Sequence, residues 1–466
     1  MNNGNTEEAV IRALRAFVAG SDPGDRLPSV RSLMGTLHVS PMTVQRAMRR
    51  LVAERLIEIH PGRGSFVARP ARATLVAPDL AWQASALGPK IPGDDALPEL
   101  LAVPRPETIP MSTGYLEASL QPTAALGGAL ARAARRPATW DRGPVEGREE
   151  LRAWFAHEAG GAFRAGDMLV CPGAQSALST AFRALATPGG TVLVEDPTYL
   201  GAIAAARGGG LQVVPVAADA DGVRPDLLTD AFARTGARLF YCQPLYANPH
   251  GAVLSAQRRG AVLGAVHAAG AFLIEDDWAR DLSIDGSPSP PLAAEDTHGH
   301  VVYLRSLTKP AAPGLRVAAI GARGAAGARL RTARVRDDFF VSGPLQEAAL
   351  DFLSSPAWQR HRKALRSALR IRRDALVGAL RRHLPVVRPA VIPAGGLHIW
   401  VQLPPGIDDG LLTSAAAGRG VIVYPGRPWY AAEPPSPHLR LTYGAAPPDV
   451  LEEGVHRLAK ALSDLR

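Results

Sequence analysis

Lysine is almost missing from this chain of 466 residues: Lys90, Lys309, Lys363 and Lys460 are four among 52 lysines and arginines. Arginine serves wherever a generic positive charge suffices. Because arginine stays protonated and cannot act as a nucleophilic amine, each lysine calls for its own chemical reason. Cysteine is as scarce. Cys171 and Cys242 lie far apart, with neither CxxC nor metal-ligand spacing, so no disulfide framework and no metal site is expected, and a reducing cytoplasm fits. Long apolar runs are also wanting. The best of them, AVLGAVHAAGAFLIE, is interrupted by His267 and falls short of the roughly 18 to 20 residues a membrane span needs. The N-terminus, MNNGNTEEAV, is acidic where a secretory signal requires a basic region and then an apolar run. The expectation is a cytoplasmic protein with no membrane partner.

What remains is 47% hydrophobic and 20% charged, the balance of a globular protein with a large core, and the length suggests two or three domains. The net charge of +9 hints at a polyanionic partner, and its distribution is more telling. Residues 1–70 hold ten arginines against six acids. From Thr6, a plausible N-cap, Val10, Ile11, Leu14, Phe17 and Val18 recur at helical spacing until Gly20 and Pro23. A second helix is expected through VRSLMGTL. A third is expected from Ser40 and Pro41, with Val44, Ala47, Met48, Leu51 and Val52 facing inward. LIEIHPGRGSFVA then reads as two strands around a turn. Three helices and a hairpin make a winged helix-turn-helix plan. Its third helix would lie in the major groove of double-stranded operator DNA, presenting Thr43, Gln45, Arg46 and Arg49 opposite the apolar stripe. Gln and Arg there suit base edges, Arg31, Ser40 and Arg50 suit phosphates, and Arg63 at the hairpin tip suits a minor groove.

Residues 71–106 turn rich in proline and alanine and read as an interdomain linker, partly helical near Leu97 to Leu101. Residues 107–466 would form a second domain. There, strand-like runs (DMLVCP, GTVLVEDP, LQVVPV, RLFYCQP, AFLIEDD, HVVYLRSLTK, VAAIGA) alternate with helical segments. This is the pattern of a mainly parallel α/β sheet covered on both faces. From about residue 348, Arg-rich helices and GGLHIWVQLP, GVIVYPGRPWY and HLRLTYG suggest a smaller α+β portion. Ligands in such sheets bind beyond the carboxyl ends of the strands, where Gly173, Asp196, Asn248, Asp276 and Lys309 should converge. A lysine, a carboxylate and phosphate-binding groups in one crevice are what pyridoxal phosphate requires. Asp277 competes with Asp276 for the inward position, since strand alternation sends one of the two away.

Ser306, Lys309 and Arg316 in SLTKPAAPGLR resemble the S-x-x-K-x6-R motif of fold-type I pyridoxal phosphate enzymes, the aspartate aminotransferase superfamily. The resemblance implies that Lys309 bonds the cofactor aldehyde while Ser306 and Arg316 hold its phosphate. It gives Gly173, Ala174 and Gln175 in CPGAQSAL to the phosphate as well, and Tyr199 in EDPTYL to the pyridine ring. Asn248 in NPHG goes to the phenolic oxygen, Asp276 in IEDDW to the pyridinium nitrogen, and Arg440 in HLRLTYG to a ligand carboxylate. Residues 27–68 resemble the GntR family just as closely, and the fusion resembles the MocR subfamily of homodimeric bacterial regulators. The implied function is a transcriptional regulator that senses an amino compound or pyridoxal phosphate through Lys309. The alternative is a working aminotransferase carrying a DNA-binding domain. Three residues depart from the pattern. Pro41 replaces a polar DNA contact, and Trp278 replaces a tyrosine beside the cofactor oxygen. Arg142 stands at a tyrosine that reaches the neighbouring subunit's phosphate.

Overall fold

The structure, a computed structural model, describes residues 3–69, 79–87 and 96–465. It divides into two compact units, Met1–Pro89 and Lys90–Arg466. In the first, helices α1 (Asn3–Ala19), α2 (Val30–Leu37) and α3 (Pro41–Ala53) precede a hairpin of β1 (Ile57–His60) and β2 (Gly64–Val67). Val10, Ile11, Leu14, Leu33, Val44, Ala47, Met48 and Leu51 close one small core. Three expectations need correction here. No proline stops α1 from extending back to Asn3, so Thr6 lies inside its first turns rather than capping it. Val52 is 38% exposed, because one step beyond Leu51 rotates about 100° off the buried stripe. Thr43, expected on the DNA face, is buried, and its hydroxyl shares a 2.9 Å hydrogen bond with Ser40 Oγ.

The linker expected over 71–106 lies partly outside the described residues. Within it stand two short helices, α4 (Trp82–Leu87) and α5 (Ala96–Leu101), the latter where local helicity was anticipated.

The strands of the second unit are, in chain order, β3 (Ile109–Pro110), β4 (Met168–Cys171), β5 (Thr191–Asp196), β6 (Gln212–Asp219), β7 (Gly222–Val223), β8 (Leu239–Cys242), β9 (Phe272–Asp276), β10 (Val301–Ser306), β11 (Ala318–Gly321), β12 (Arg388–Pro389), β13 (His398–Gln402), β14 (Val421–Ile422), β15 (Tyr424–Pro425) and β16 (His438–Thr442). Eight form one sheet in the order β4-β11-β10-β9-β8-β5-β6-β7. From β10 to β6 neighbours pair in parallel, whereas β11 is antiparallel to both β10 and β4. The reason is local: parallel neighbours need a crossover helix, and residues 307–317 provide only a turn with one short 3-10 segment, Pro313–Leu315. That connection is the one carrying Lys309 and Arg316.

Alternate residues of each strand feed two cores. Leu193, Phe240, Leu273 and Tyr303 pack under the helices Glu149–Ala159 and Ala256–Ala268. Val192, Tyr241, Ile274 and Leu304 pack under Ala174–Leu185 and Gly324–Asp338. Both faces are covered, so the open ground is at the strand ends. The smaller portion combines the long helix Pro356–His383 with the sheet β12-β13-β16-β15 and the helix Pro448–Asp464 over a third core.

Candidate functional site

The carboxyl ends of β9 and β10, the loops after β4, β5 and β8, His398 at the start of β13 and Arg440 in the middle of β16 surround a pocket. Every pocket residue singled out in the sequence except Gly173 and Asp196 lines it; Gly173 adjoins it through Ala174, and Asp196 turns aside to accept from Ala431 N at 2.8 Å. Lys309 Nζ donates to Gly114 O at 2.8 Å and stands 4.0 Å from the Tyr115 ring centre. Burial, reinforced by the Arg440 and Arg316 guanidinium groups and opposed by Asp276, lowers this amine to about 7. Near neutrality much of it is therefore unprotonated and nucleophilic.

Asp276 ends β9 and points inward. Its Oδ2 accepts from Tyr241 Oη at 2.7 Å and from Gln243 Nε2 at 2.9 Å, while the buried Oδ1 has no partner among the described residues. Burial raises this carboxyl to about 6 even though both hydrogen bonds pull the other way. Asp277, the competitor, points to the opposite face, where it pairs with Arg280 and accepts from Tyr303 Oη at 2.7 Å.

Gly173, at φ +111°, precedes the helix Ala174–Leu185, and a Cβ there would collide with the Arg316 guanidinium. Only glycine allows that close approach. A cation and the free N–H groups of a helix start thus meet in one cradle, a ready site for a phosphate. Arg316 is held by donating to Pro172 O at 2.7 Å, and Ser306 Oγ accepts from Thr308 N at 3.2 Å. Tyr199 donates through its hydroxyl to Gln175 Oε1 at 3.1 Å. Arg440 is fully buried. It donates to Asn248 Oδ1 at 3.1 Å and to Ser112 O, with its guanidinium 4.6 Å from the Trp429 ring centre. Burial lowers it to about 9.

Sequence reasoning missed Tyr241, Gln243, Gly114, Tyr115 and His398. Gln243 also accepts from Asn248 N–H at 2.9 Å, so one side chain ties the asparagine loop to the aspartate. His398 stacks on Trp278 with ring centres 5.8 Å apart. Arg142 is exposed and does not line the pocket.

In the first unit, Ser40 Oγ caps α3 by accepting from Thr43 N at 3.2 Å. Gln45, Arg46, Arg49 and Arg50 are exposed along α3, Arg31 is exposed in the first turn of α2, and Arg63 is exposed at the hairpin tip between Gly62 and Gly64. Arg46 meets Glu7 at 3.1 Å, and Arg50 meets Glu8 and Glu54 at 3.4 Å each. Arg31, Arg49 and Arg63 have no acidic partner among the described residues.

The sequence pattern of the aminotransferase class I and II family matches residues 130–458, and that of bacterial regulatory proteins, gntR family, matches residues 7–67. The chain belongs to the aminotransferase class I and II family. It carries a GntR helix-turn-helix domain in front of it. Along its full length it is similar to the uncharacterized HTH-type transcriptional regulator YdfD of Bacillus subtilis, 28% identical over 95% of this chain and 92% of that protein. It is likewise similar to the vitamin B6 salvage pathway transcriptional repressor PtsJ of Salmonella typhimurium, 28% identical over 95% of each. Among solved structures it is similar to LysN, the alpha-aminoadipate aminotransferase of Thermus thermophilus, in complex with N-(5'-phosphopyridoxyl)-L-leucine. The TM-score is 0.76 at 29% identity, covering 83% of this chain and 99% of that one.

The family's cofactor is pyridoxal phosphate, and the pocket fits it. Among the described residues that line it, Asp276 Oδ1 and Trp278 Nε1 are buried without partners and supply an acceptor and a donor, and Thr308 Oγ1, His398 Nδ1 and Arg440 Nε are buried without partners as well. Asn248, its oxygen taken by Arg440, has its NH2 left to donate. The Gly173 cradle matches the phosphate, and the lowered amine of Lys309 matches the aldehyde.

Proposed function

We propose that this protein is a transcriptional regulator in which a GntR-type reader binds double-stranded DNA under the control of a pyridoxal phosphate pocket that takes an amino compound or the cofactor itself. The observation that carries this reading is the presence, in one chain, of a pocket whose residues fit the cofactor and of a helix-turn-helix unit with exposed arginines. The relatives that match along the whole length are named as regulators.

Pyridoxal phosphate, when bound, supplies a carbonyl that exchanges amines and an electron sink for chemistry at an amino-bearing carbon. The residues around it have distinct tasks. Asp276 would keep the ring nitrogen charged, with Tyr241 and Gln243 holding the carboxylate in line. Asn248 and Trp278 would hold the phenolic oxygen, Tyr199 the ring face, and Ser306, Arg316 and the helix start at Ala174 the phosphate. Arg440 would take the carboxylate of the incoming amine in a two-pronged contact. Lys309, whose free amine is uncharged for much of the time, would hold the cofactor aldehyde and would give way to a ligand amine. Displacement and closure of the smaller portion would then shift a homodimer between states with different reader spacing. In that dimer the exposed Arg142 is a candidate for contact with the neighbouring subunit.

In the reader, Gln45, Arg46 and Arg49 would meet base edges, Arg31, Ser40 and Arg50 phosphates, and Arg63 a minor groove. Thr43 instead fixes the start of α3 through Ser40. Arg49→Ala, which disturbs no ion pair among the described residues, is expected to weaken operator binding by about 1–3 kcal/mol, a factor of roughly 5 to 150, with the helix intact. Because Arg49 is assigned to a base edge, discrimination between operator and unrelated DNA should narrow while the salt slope holds. Fluorescence anisotropy across a salt series measures both. Lys309→Ala tests the control itself: borohydride treatment should yield a pyridoxyl adduct on the peptide carrying Lys309 in the parent protein and none in the variant. The response of DNA affinity to added amines should vanish with it. An unchanged response would sink the proposal, and turnover of an amino acid with a keto acid at about 1 per second or faster would favour the aminotransferase reading.

A further inference from the structure

Part of the segment that leads from the reader is itself a wall of the cofactor pocket. Helix α5 is held in the second unit by Tyr424, whose hydroxyl donates to Ala96 O, and by Leu97 and Leu100, which pack against Leu200, Trp400 and Trp429. Leu97, Leu100 and Leu101 face the same space as Lys309 and Arg440. Three leucines on that side offer no hydrogen bond. The charged side chains that line the pocket are Asp276, Lys309, Arg316 and Arg440, and each already has an assignment at the cofactor or at one ligand carboxylate. His398 also lines it, but burial and the adjoining Arg440 and Lys309 hold its imidazole well below the ordinary range and therefore neutral. Among the described residues, no cation is left for a second carboxylate and no free acid for a second amine: Glu99, on the same helix, is exposed and does not line the pocket.

We infer that the effector is an amino acid with a single carboxylate and an apolar side chain, seated with that side chain on Leu97, Leu100 and Leu101. The inference rests on the regulatory reading above and adds to it both the ligand's class and its point of contact with the linker. Recognition and signalling then share one short helix: the side chain that decides which ligand binds touches the segment that leads back to the reader.

Isothermal titration calorimetry of the full-length, cofactor-loaded protein with L-leucine, L-phenylalanine, L-alanine, L-glutamate and L-lysine tests it. Leucine and phenylalanine are expected to bind about tenfold or more tighter than the other three, the gain from burying a large apolar side chain. The double variant Leu97→Asn/Leu100→Asn should abolish the preference of leucine over alanine, and Leu100→Met should retain it. Glutamate or lysine binding as tightly as leucine, selectivity that survives the double variant, or no binding of any of the five would each overturn the inference. Failure of the regulatory reading is a separate result, in which leucine binds with the expected preference and DNA affinity does not respond.

Discussion

Asp276→Ala is expected to weaken the protein's hold on pyridoxal phosphate by about a hundredfold or more. The carboxylate is buried, and one oxygen is fixed by Tyr241 and Gln243 while the other has no partner among the described residues. Such an arrangement is costly unless a cationic N–H completes it, and removing one member of a buried charge pair typically costs about 3–5 kcal/mol. The carboxyl, raised to about 6 by burial, is still mostly ionised at neutral pH, so the partner it lacks is a proton donor. Tyr199→Phe supplies the contrast. It gives up the hydroxyl bond to Gln175 but keeps the ring, and the expected loss is about 1 kcal/mol or less. Fluorescence titration of the cofactor-free proteins, with circular dichroism to check their fold, compares the two. Equal affinity in the aspartate variant and the parent would remove the charge-pair account of the pocket.

Much of this site was legible because its parts lie where the chain punctuates itself. Asp276, Ser306, Gly173 and Asn248 each follow an apolar run that reads as a strand, and parallel strands deliver their carboxyl ends to one edge. The supporting residues were not legible, because their roles arise between strands. Tyr241 sits inside the run LFYC and reads as core. Its hydroxyl reaches Asp276 only because β8 pairs with β9 in the register that sets Tyr241 beside Ile274. Gln243 lies one residue past the same strand, and nothing in its neighbours reveals that it spans from Asp276 to the backbone of Asn248. The run GVIVYPGRPWY likewise hides a division. Val421 and Ile422 pair with β3 and Tyr424 and Pro425 with β16, so one apolar stretch serves two sheets. In the reader, the period of α3 placed Val44, Ala47, Met48 and Leu51 correctly. It could not tell that the hydroxyl of Thr43 would turn back to Ser40, a local bond that competes with any outward role.

Lys309 in the cofactor-free protein is expected to behave as no surface lysine does. With its proton lost near pH 7 rather than above 10, its free-base fraction at neutral pH is about a thousandfold larger than that of an ordinary lysine. Carbamylation by cyanate, followed by peptide mapping, should therefore rise with pH through a midpoint near 7 at Lys309, well below the ordinary lysine range. The neighbours give the sign of two further shifts. Arg440→Met removes the charge that, after burial, does most to lower the amine, so the midpoint should move up; Asp276→Asn removes the opposing charge, so it should move down. Linkage gives the same group a thermodynamic signature. Between about pH 7 and the unfolded value above 10 the unfolded chain binds a proton at Lys309 that the native chain does not. This residue's contribution to stability thus rises with pH across that window. A Lys309 midpoint in the ordinary lysine range, unmoved by either substitution, would mean that the pocket does not prepare its amine. The scarcity of lysine in this chain would then need another explanation.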